Sequence, residues 1–206
     1  MNTITEKATS DYRIKGSKFL GFLIPVQSIE DIESMLDKIR DEHHSATHHC
    51  YGWRIDPETL QEMAQDDGEP SGTAGAPILN TMKSAGLVNA LLVVVRYYGG
   101  TKLGKAGLID AYSEAARQCI ELAELREIVQ VQYFSIRYGY EKQSLIDTLN
   151  HKFSLHQKNA EYLADVTLQL ACPLESLESF KNYLSSIEHK LVSVDELETG
   201  YLLKKS

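Results

Sequence analysis

Hydrophobic and polar positions recur along this chain with two different periods, which predict helices and strands in turn. Apolar residues recur every three or four positions in residues 29–39, a spacing that predicts a helix with one buried face. Ser28 precedes this segment and Asp31 follows three residues later, so the pattern also predicts the helix N-terminus. The same periodicity predicts a long helix over residues 108–123.

Runs of apolar and β-favouring residues predict the strands of a first domain. Residues 12–26 read as two strands around a turn at Lys15–Ser17, and residues 46–55 pair with residues 61–66. Residues 88–98 have few polar positions and predict a buried strand. A further helix is predicted with Pro77 as its first residue and Gly86 as its stop.

The pattern starts afresh near Arg126, which predicts a boundary between domains at 1–126 and 127–206. A strand is predicted at residues 128–138, a strand region at 153–171 and a last strand at 191–203, with helices through Leu145 and after Pro173. The even positions from 162 to 170 are apolar, an alternation typical of a sheet with one wet face. Strand-helix-strand-strand-helix-strand is the ferredoxin-like order. The predicted fold class is therefore α+β in both domains.

Composition limits the functions that are open to this chain. The 206 residues are 43% hydrophobic and carry a net charge of −8, a balance that argues against non-specific binding to duplex nucleic acid. Residues 71–108 nevertheless contain no acid and include four basic residues, which are Lys83, Arg96, Lys102 and Lys105. Either these residues form a local basic face, or glycine-rich loops simply lack acids.

Cysteine usage and the N-terminus indicate a cytoplasmic protein. The three cysteines, Cys50, Cys119 and Cys172, are far apart and form no CxxC pair, so we expect free, buried thiols in a reducing compartment. The first residues lack the apolar core of a signal peptide. No apolar run approaches the ~18 residues of a membrane span, so no membrane association is predicted.

Two glycine-rich polar loops flank the helix that contains Pro77. The first loop, residues 66–75, carries Asp66, Asp67 and Glu69. The second loop follows the buried strand and reads GGTKLGKAG, residues 99–107. Polar, glycine-rich loops at the end of a buried strand often carry a binding site. We therefore expect the two loops to meet and form one concave surface.

The second loop nearly fits the phosphate-binding pattern G-x-x-x-x-G-K-[ST]. Gly99, Gly104 and Lys105 match, but Ala106 replaces the hydroxyl residue that would hold magnesium. A nucleotide hydrolase is therefore not predicted. Two alternatives stay open: helix amides with Lys102 and Lys105 hold an anion, or the loop is a tight turn that requires glycine.

Four histidines lie within seven residues, at 43, 44, 48 and 49. Adjacent residues of a strand point to opposite faces, so His48 and His49 cannot share one metal ion, and no metal site is predicted. A histidine beside Asp67 and Glu69 could supply acid–base chemistry. The alternative is a structural network in which these carboxylates cap the amides of the glycine-rich loop.

Four segments together resemble the IMPACT/YigZ family: SKFLGFL (17–23), HHCYGWR (48–54), DDGEPSGTAGAPIL (66–79) and VVVRYYGGTKLGKAGLIDAY (93–112). The resemblance covers residues 10–124 and, in the bacterial members, a small C-terminal domain. It implies an N-terminal domain with the left-handed β-α-β fold found in a small-subunit ribosomal protein and in elongation factor G. It also implies a C-terminal ferredoxin-like domain similar to the last domain of elongation factor G.

The resemblance implies a role around translation rather than a known reaction. The eukaryotic relatives act in translational control by competing for the activator of an initiation-factor kinase, and nucleic-acid binding has been proposed for bacterial members. The family's recurring polar residues correspond here to His48, Asp67, Glu69, Arg96, Gly99, Gly100 and Gly104.

These observations favour a non-enzymatic protein that binds RNA or a ribosome-associated partner without a cofactor. Arg96 and Lys102 would contact phosphate, with Gly99, Gly100 and Gly104 in the same ligand-binding loop. One alternative is a hydrolase acting on a small phosphorylated or peptide substrate through three residues, His48, Asp67 and Glu69. The other alternative is a protein-interaction module that uses the same face.

Overall fold

The computed structural model describes residues 1–204 and divides into two compact units. The first unit is Met1–Glu127, and the second begins at Ile128. Each unit mixes helices with an antiparallel sheet, so the α+β class is confirmed. Lys205 and Ser206, the last residues of the predicted second domain, lie outside the described residues.

The first unit is built on a sheet with strand order β2-β3-β6-β4-β5, in which all neighbours are antiparallel. A short first strand pairs with residues 125–127. The elements are β1 (Asn2–Ile4), β2 (Ala8–Ile14), β3 (Ser17–Pro25), α1 (Ile29–Glu42), β4 (His48–Ile55), β5 (Gln61–Gln65), α2 (Gly75–Ser84), β6 (Ala90–Tyr97) and α3 (Gly104–Glu121).

Helices cover both faces of this sheet. In β6, Leu91 and Val93 belong to the core against α1, whereas Leu92 and Val94 belong to the core against α2 and α3. The strand is therefore apolar at nearly every position, because both of its faces are buried. This double burial explains the apolar run that predicted β6.

The two helical crossovers of the first unit have opposite hands. The connections β3-α1-β4 and β5-α2-β6 each join parallel strands across one intervening strand. The two crossovers start from strands that point in opposite directions, and they move in opposite directions across the sheet. Their helices lie on opposite faces of the sheet. Reversing strand direction and displacement together preserves the hand, while changing the face inverts it. One crossover is therefore left-handed, which is uncommon.

The second unit has strand order β10-β7-β9-β8, again antiparallel throughout. Its core joins the sheet to both helices through Phe134, Ile146, Leu168 and Phe180. The elements are β7 (Leu125–Tyr138), α4 (Gln143–Phe153), β8 (His156–Tyr162), β9 (Val166–Pro173), α5 (Leu177–Ile187) and β10 (Ser193–Leu203).

Several local predictions can be checked directly. The predicted cap of α1 is confirmed, because the Asp31 amide donates to Ser28 Oγ at 3.1 Å. Pro77 is the third residue of α2 and not the first, because α2 begins at Gly75. The strand region 153–171 contains two paired strands joined by a turn, as the predicted strand order requires, and Tyr162 at the turn is 64% exposed. The apolar alternation there runs across a turn.

The three cysteines agree with the expectation of free, buried thiols. Cys50, Cys119 and Cys172 are all free and buried. Within residues 1–204, no helix combines the length and the apolar composition that crossing a membrane requires.

Candidate functional site

The two glycine-rich loops meet in the first unit, as expected from the sequence. One cleft of about 500 Å³ is lined by Glu69 and Pro70 from the first loop, by Lys102 and Gly104 from the second, and by Tyr98, which precedes the second loop. A wider groove of about 880 Å³ runs along α2 and α3. The arginine of that groove, Arg117, is already paired with two glutamates. The cleft between the loops is therefore the stronger candidate for a site.

Two neighbouring strands, β4 and β6, contribute His48 and Arg96 to the cleft, and β3 lies beside β6. The register places Phe19, Arg96 and His48 side by side on β3, β6 and β4. The guanidinium carbon of Arg96 lies 5.4 Å from the ring centroid of Phe19 and 5.3 Å from that of Tyr98. Arg96 is only 5% exposed, and two aromatic rings hold its guanidinium in place.

The charge of Arg96 is balanced by Glu69. Arg96 Nη1 donates to Glu69 Oε1 at 2.5 Å, and the Tyr112 hydroxyl donates to the same oxygen at 2.8 Å. Arg96 Nη2 lies 3.5 Å from Ser17 Oγ, while Nε has no hydrogen-bond partner within residues 1–204. Arg96 was expected to contact phosphate as a free cation, but the structure places it in a buried ion pair.

The nearby thiol and phenol are neutral. Cys50 Sγ lies 3.0 Å from the Asp66 carbonyl oxygen and 3.2 Å from the Tyr112 hydroxyl. Burial raises the pKa of Cys50, and burial followed by the proximity of Cys50 and Glu69 raises the pKa of Tyr112. A thiol with a raised pKa is a poor nucleophile. The site therefore offers no activated cysteine.

Two of the three acids in the first loop cap backbone amides. Asp66 accepts from the amides of Gly72, Ala74 and Gly75 at 2.8, 3.0 and 2.9 Å, at the start of α2. Burial acts to raise the pKa of Asp66, but these three bonds outweigh it and lower the pKa. Asp67 has a left-handed backbone (φ 44°) and accepts from the His49 amide at 2.6 Å.

His48 lies beside Glu69, whereas the carboxylate of Asp67 is directed elsewhere. His48 Nδ1 is 2.7 Å from the carbonyl oxygen of Asp67, and Nε2 is 3.8 Å from Glu69 Oε1. A carbonyl only accepts, so Nδ1 carries the proton and Nε2 is the acceptor of neutral His48. Within residues 1–204, no group of three or more His, Cys, Asp or Glu residues is arranged to hold a metal ion.

The glycines of the second loop have internal roles. A Cβ on Gly99 would lie 1.9 Å from the carbonyl carbon of Gly16, so the β2–β3 turn packs where a side chain would be. Gly100 and Gly104 have positive φ angles of 85° and 74°, which L side chains rarely adopt. The space beside Gly99 is therefore filled by the chain itself and does not receive a ligand.

The start of α3 carries positive charge that nothing in the described chain neutralises. Within residues 1–204, no side chain caps this end, and its first turn contains no acid. Lys102 and Lys105 are exposed, line the cleft and form no ion pair within residues 1–204. An uncapped helix N-terminus bears a partial positive charge and free amides. This end of the cleft therefore suits an anion.

Sequence reasoning missed Ser17, Phe19 and Tyr112. Tyr112 recurs with Leu108 and Ala111 at helical spacing, so the pattern assigns it to the core, where it is fully buried. A buried tyrosine needs a partner for its hydroxyl, and that requirement is the signal that could have linked it to a buried acid.

Known proteins resemble this chain over most of its length. The Impact N-terminal domain family matches residues 15–120. An IMPACT family member of Haemophilus influenzae is 33% identical over 189 residues, which cover 91% of this chain and 92% of that protein. The Escherichia coli IMPACT family member YigZ is 30% identical over 188 residues, or 89% of this chain and 92% of that protein.

One solved structure agrees with these matches. A crystal structure described as a hypothetical protein has a TM-score of 0.63 and 29% identity, and the match covers 95% of both chains. The family match spans half of the chain, and a relative at 33% identity is matched almost from end to end. The chain therefore belongs to the IMPACT family.

Proposed function

We propose that this protein is a translation-associated regulator that binds RNA through the cleft of its first unit. A phosphate group would lie at the N-terminus of α3, between Lys102 and Lys105. The observation that carries the proposal is this helix end, which has no side-chain cap among the described residues and no acid in its first turn. Helix N-termini flanked by cationic side chains are favourable phosphate sites.

The charges around the cleft support an anionic ligand. Glu69 is the acid that lines the cleft, and Arg96 balances it at 2.5 Å. Lys102 and Lys105 remain as uncompensated charges on a chain whose net charge is −8. The positive charge is therefore local, and repulsion from the rest of the protein predicts weak, salt-sensitive binding.

The context of translation comes from family membership. The resemblance to the family implies translational control for its eukaryotic members, and the residue range that matches the family, 15–120, contains the whole cleft. The left-handed crossover supports the ribosomal-protein-like β-α-β assignment of the first unit. The β-α-β-β-α-β order with sheet order β10-β7-β9-β8 supports the ferredoxin-like assignment of the second unit. The proposal places the protein in the cytoplasm.

The test is binding of fluorescently labelled single-stranded RNA by the wild type and by Lys102→Ala/Lys105→Ala. We expect the double variant to lose about tenfold or more in affinity and the slope of log K against log salt to become shallower by about 1.4. Arg96→Ala is a poor test variant, because it would leave Glu69 as an unpaired buried charge.

The matched control is Lys38→Ala/Lys190→Ala, which removes the same charge from two exposed lysines that do not line the cleft. The control should bind RNA like the wild type. Equal loss of affinity in both double variants would mean that the loss comes from the change in net charge and not from the cleft. Capture of a protein partner that survives nuclease treatment, with no RNA binding, would support the protein-interaction alternative instead.

A second candidate is hydrolysis of a small phosphorylated substrate with His48 as general base. The observation that favours it is the fixed tautomer of His48, whose Nε2 is the acceptor beside Glu69 in the cleft. The assay is turnover of phosphate monoesters by the wild type and by His48→Gln. Turnover that disappears in His48→Gln with unchanged ligand binding would support catalysis. Absence of turnover by the wild type would exclude hydrolysis of phosphate monoesters.

A further inference from the structure

The cleft has an apolar wall that a phosphate group alone would leave unused. Pro70, Leu103 and Leu108 line it together with Tyr98, while Lys102 and Lys105 line the same space. An apolar wall is buried usefully only by an apolar ligand surface, and the lysines favour an anion. The ligand that fits both features has a flat or apolar part and an anionic part.

Tyr98 presents an exposed ring that the structure holds in place. The residue is 46% exposed, yet its hydroxyl donates to the Gly100 carbonyl at 2.7 Å and its amide donates to Thr47 Oγ1 at 3.2 Å. The guanidinium of Arg96 lies 5.3 Å from the ring centroid. A ring fixed in this way loses little conformational freedom when another ring stacks on it.

Arg96 gives a second indication of a ligand beside the start of α3. Arg96 lines the cleft but is only 5% exposed. Its Nε has no hydrogen-bond partner within the described chain. Buried polar groups of proteins nearly always have a partner. A cleft of about 500 Å³ has the size that encloses one small ligand and not a duplex.

We propose that the cleft binds a single nucleotide unit, with the base stacked on Tyr98 and the phosphate at the N-terminus of α3. This inference rests on the proposed function, since it names the ligand class of the same site. Stacking on a tyrosine does not depend on base identity, so we expect little preference among bases. The unit is either a free nucleotide or an unpaired nucleotide of an RNA strand.

The experiment is calorimetric titration of the full chain with inorganic phosphate, ribose 5-phosphate, AMP, UMP and a short single-stranded RNA. The variants are Tyr98→Phe, Tyr98→Leu and Lys102→Ala/Lys105→Ala. In the wild type, AMP and UMP should bind on the order of tenfold more tightly than ribose 5-phosphate. Tyr98→Phe should keep this difference. Tyr98→Leu should lose it and still bind ribose 5-phosphate like the wild type, which shows that the loop is intact.

The set of probes distinguishes failure of base stacking from failure of the proposed function. Equal affinity for ribose 5-phosphate and the nucleotides would overturn base stacking and leave phosphate binding standing. Absence of binding to every probe would overturn both proposals. RNA binding with no affinity for AMP or UMP would assign the site to a strand, and tight binding of the free nucleotides alone would assign it to a small molecule.

Discussion

The N-termini of α2 and α3 lie in the same unit, within the two glycine-rich loops, but their backbone amides have different partners. At α2, the carboxylate of Asp66 accepts from three backbone amides. At α3, no side chain of the described residues caps the helix, no acid occurs in the first turn, and Lys102 and Lys105 form no ion pair within residues 1–204. One helix end carries its own anion, whereas the other presents its positive charge to the cleft.

This difference explains how one acidic chain can contain a local anion site. The acids of the first loop are used internally: Asp66 and Asp67 cap amides, and Glu69 pairs with Arg96. None of the three carboxylates is free to neutralise Lys102 or Lys105. Because the acids of the first loop already have partners, the positive charges of Lys102 and Lys105 remain available to a ligand.

The largest effect is expected when the pairing of the first loop is broken. Arg96→Ala leaves Glu69, which is 8% exposed, without its counter-charge, and should lower the free energy of unfolding by about 3–5 kcal/mol. Urea unfolding followed by circular dichroism measures the loss. Adding Glu69→Ala to Arg96→Ala should restore part of it, because the unpaired charge is removed. A double variant less stable than Arg96→Ala alone would contradict this account of the pair.

Removing the anion of α2 should give the next largest effect. Asp66→Ala loses three hydrogen bonds at the helix N-terminus and should cost about 1–2 kcal/mol. The pKa of Asp66 is lowered in the folded state from its ordinary value of 3.8. Its stabilisation is therefore present above about pH 4 and disappears as the pH falls through the lowered pKa. The difference in unfolding free energy between wild type and variant should shrink in that acidic range, and a difference independent of pH would argue against the carboxylate.

Giving α3 an anion of its own should make the two helix ends alike. Ala106→Glu places an acid in the first turn at an exposed position, and it should raise stability by about 0.3–1 kcal/mol. The same carboxylate should compete with the phosphate of the ligand, so RNA affinity should fall. Ala106→Gln is the uncharged control and should retain RNA binding. A gain in both stability and RNA affinity for Ala106→Glu would contradict the anion site.

The smallest effect on stability is expected from the lysines of the cleft. Lys102 and Lys105 are exposed and form no ion pair within residues 1–204, so Lys102→Ala/Lys105→Ala should change the unfolding free energy by about 0.5 kcal/mol or less. Thermal unfolding with ligand absent measures this. A large loss of stability would mean that the lysines support the fold rather than a ligand.

The sequence predicted the elements that depend on local pattern and missed contacts that depend on register. The cap at Ser28 and the buried strand β6 follow from nearby residues alone. The burial of Arg96 does not follow from nearby residues, because it depends on Phe19 and His48 from two other strands.

Adjacent acids show the same limit. Asp66 and Asp67 are chemically alike in the sequence, but the left-handed backbone at Asp67 (φ 44°) sends its carboxylate to the His49 amide while Asp66 turns to α2. Sequence reasoning found the loop that holds them and the alternative that carboxylates cap amides. It did not identify which carboxylate caps which amide, because that choice is made by tertiary packing.

We expect the N-terminus of α3, and not that of α2, to bind an anion. The most direct measurement is a titration of the isotopically labelled protein with inorganic phosphate, followed by the backbone amide resonances of both helix ends. The amides of Lys105 and Ala106 should shift with saturation, while those of Gly75 and Ala76 stay in place because Asp66 already occupies that end of α2. Unmoved resonances at Lys105 and Ala106, or equal shifts at both helices, would contradict the account.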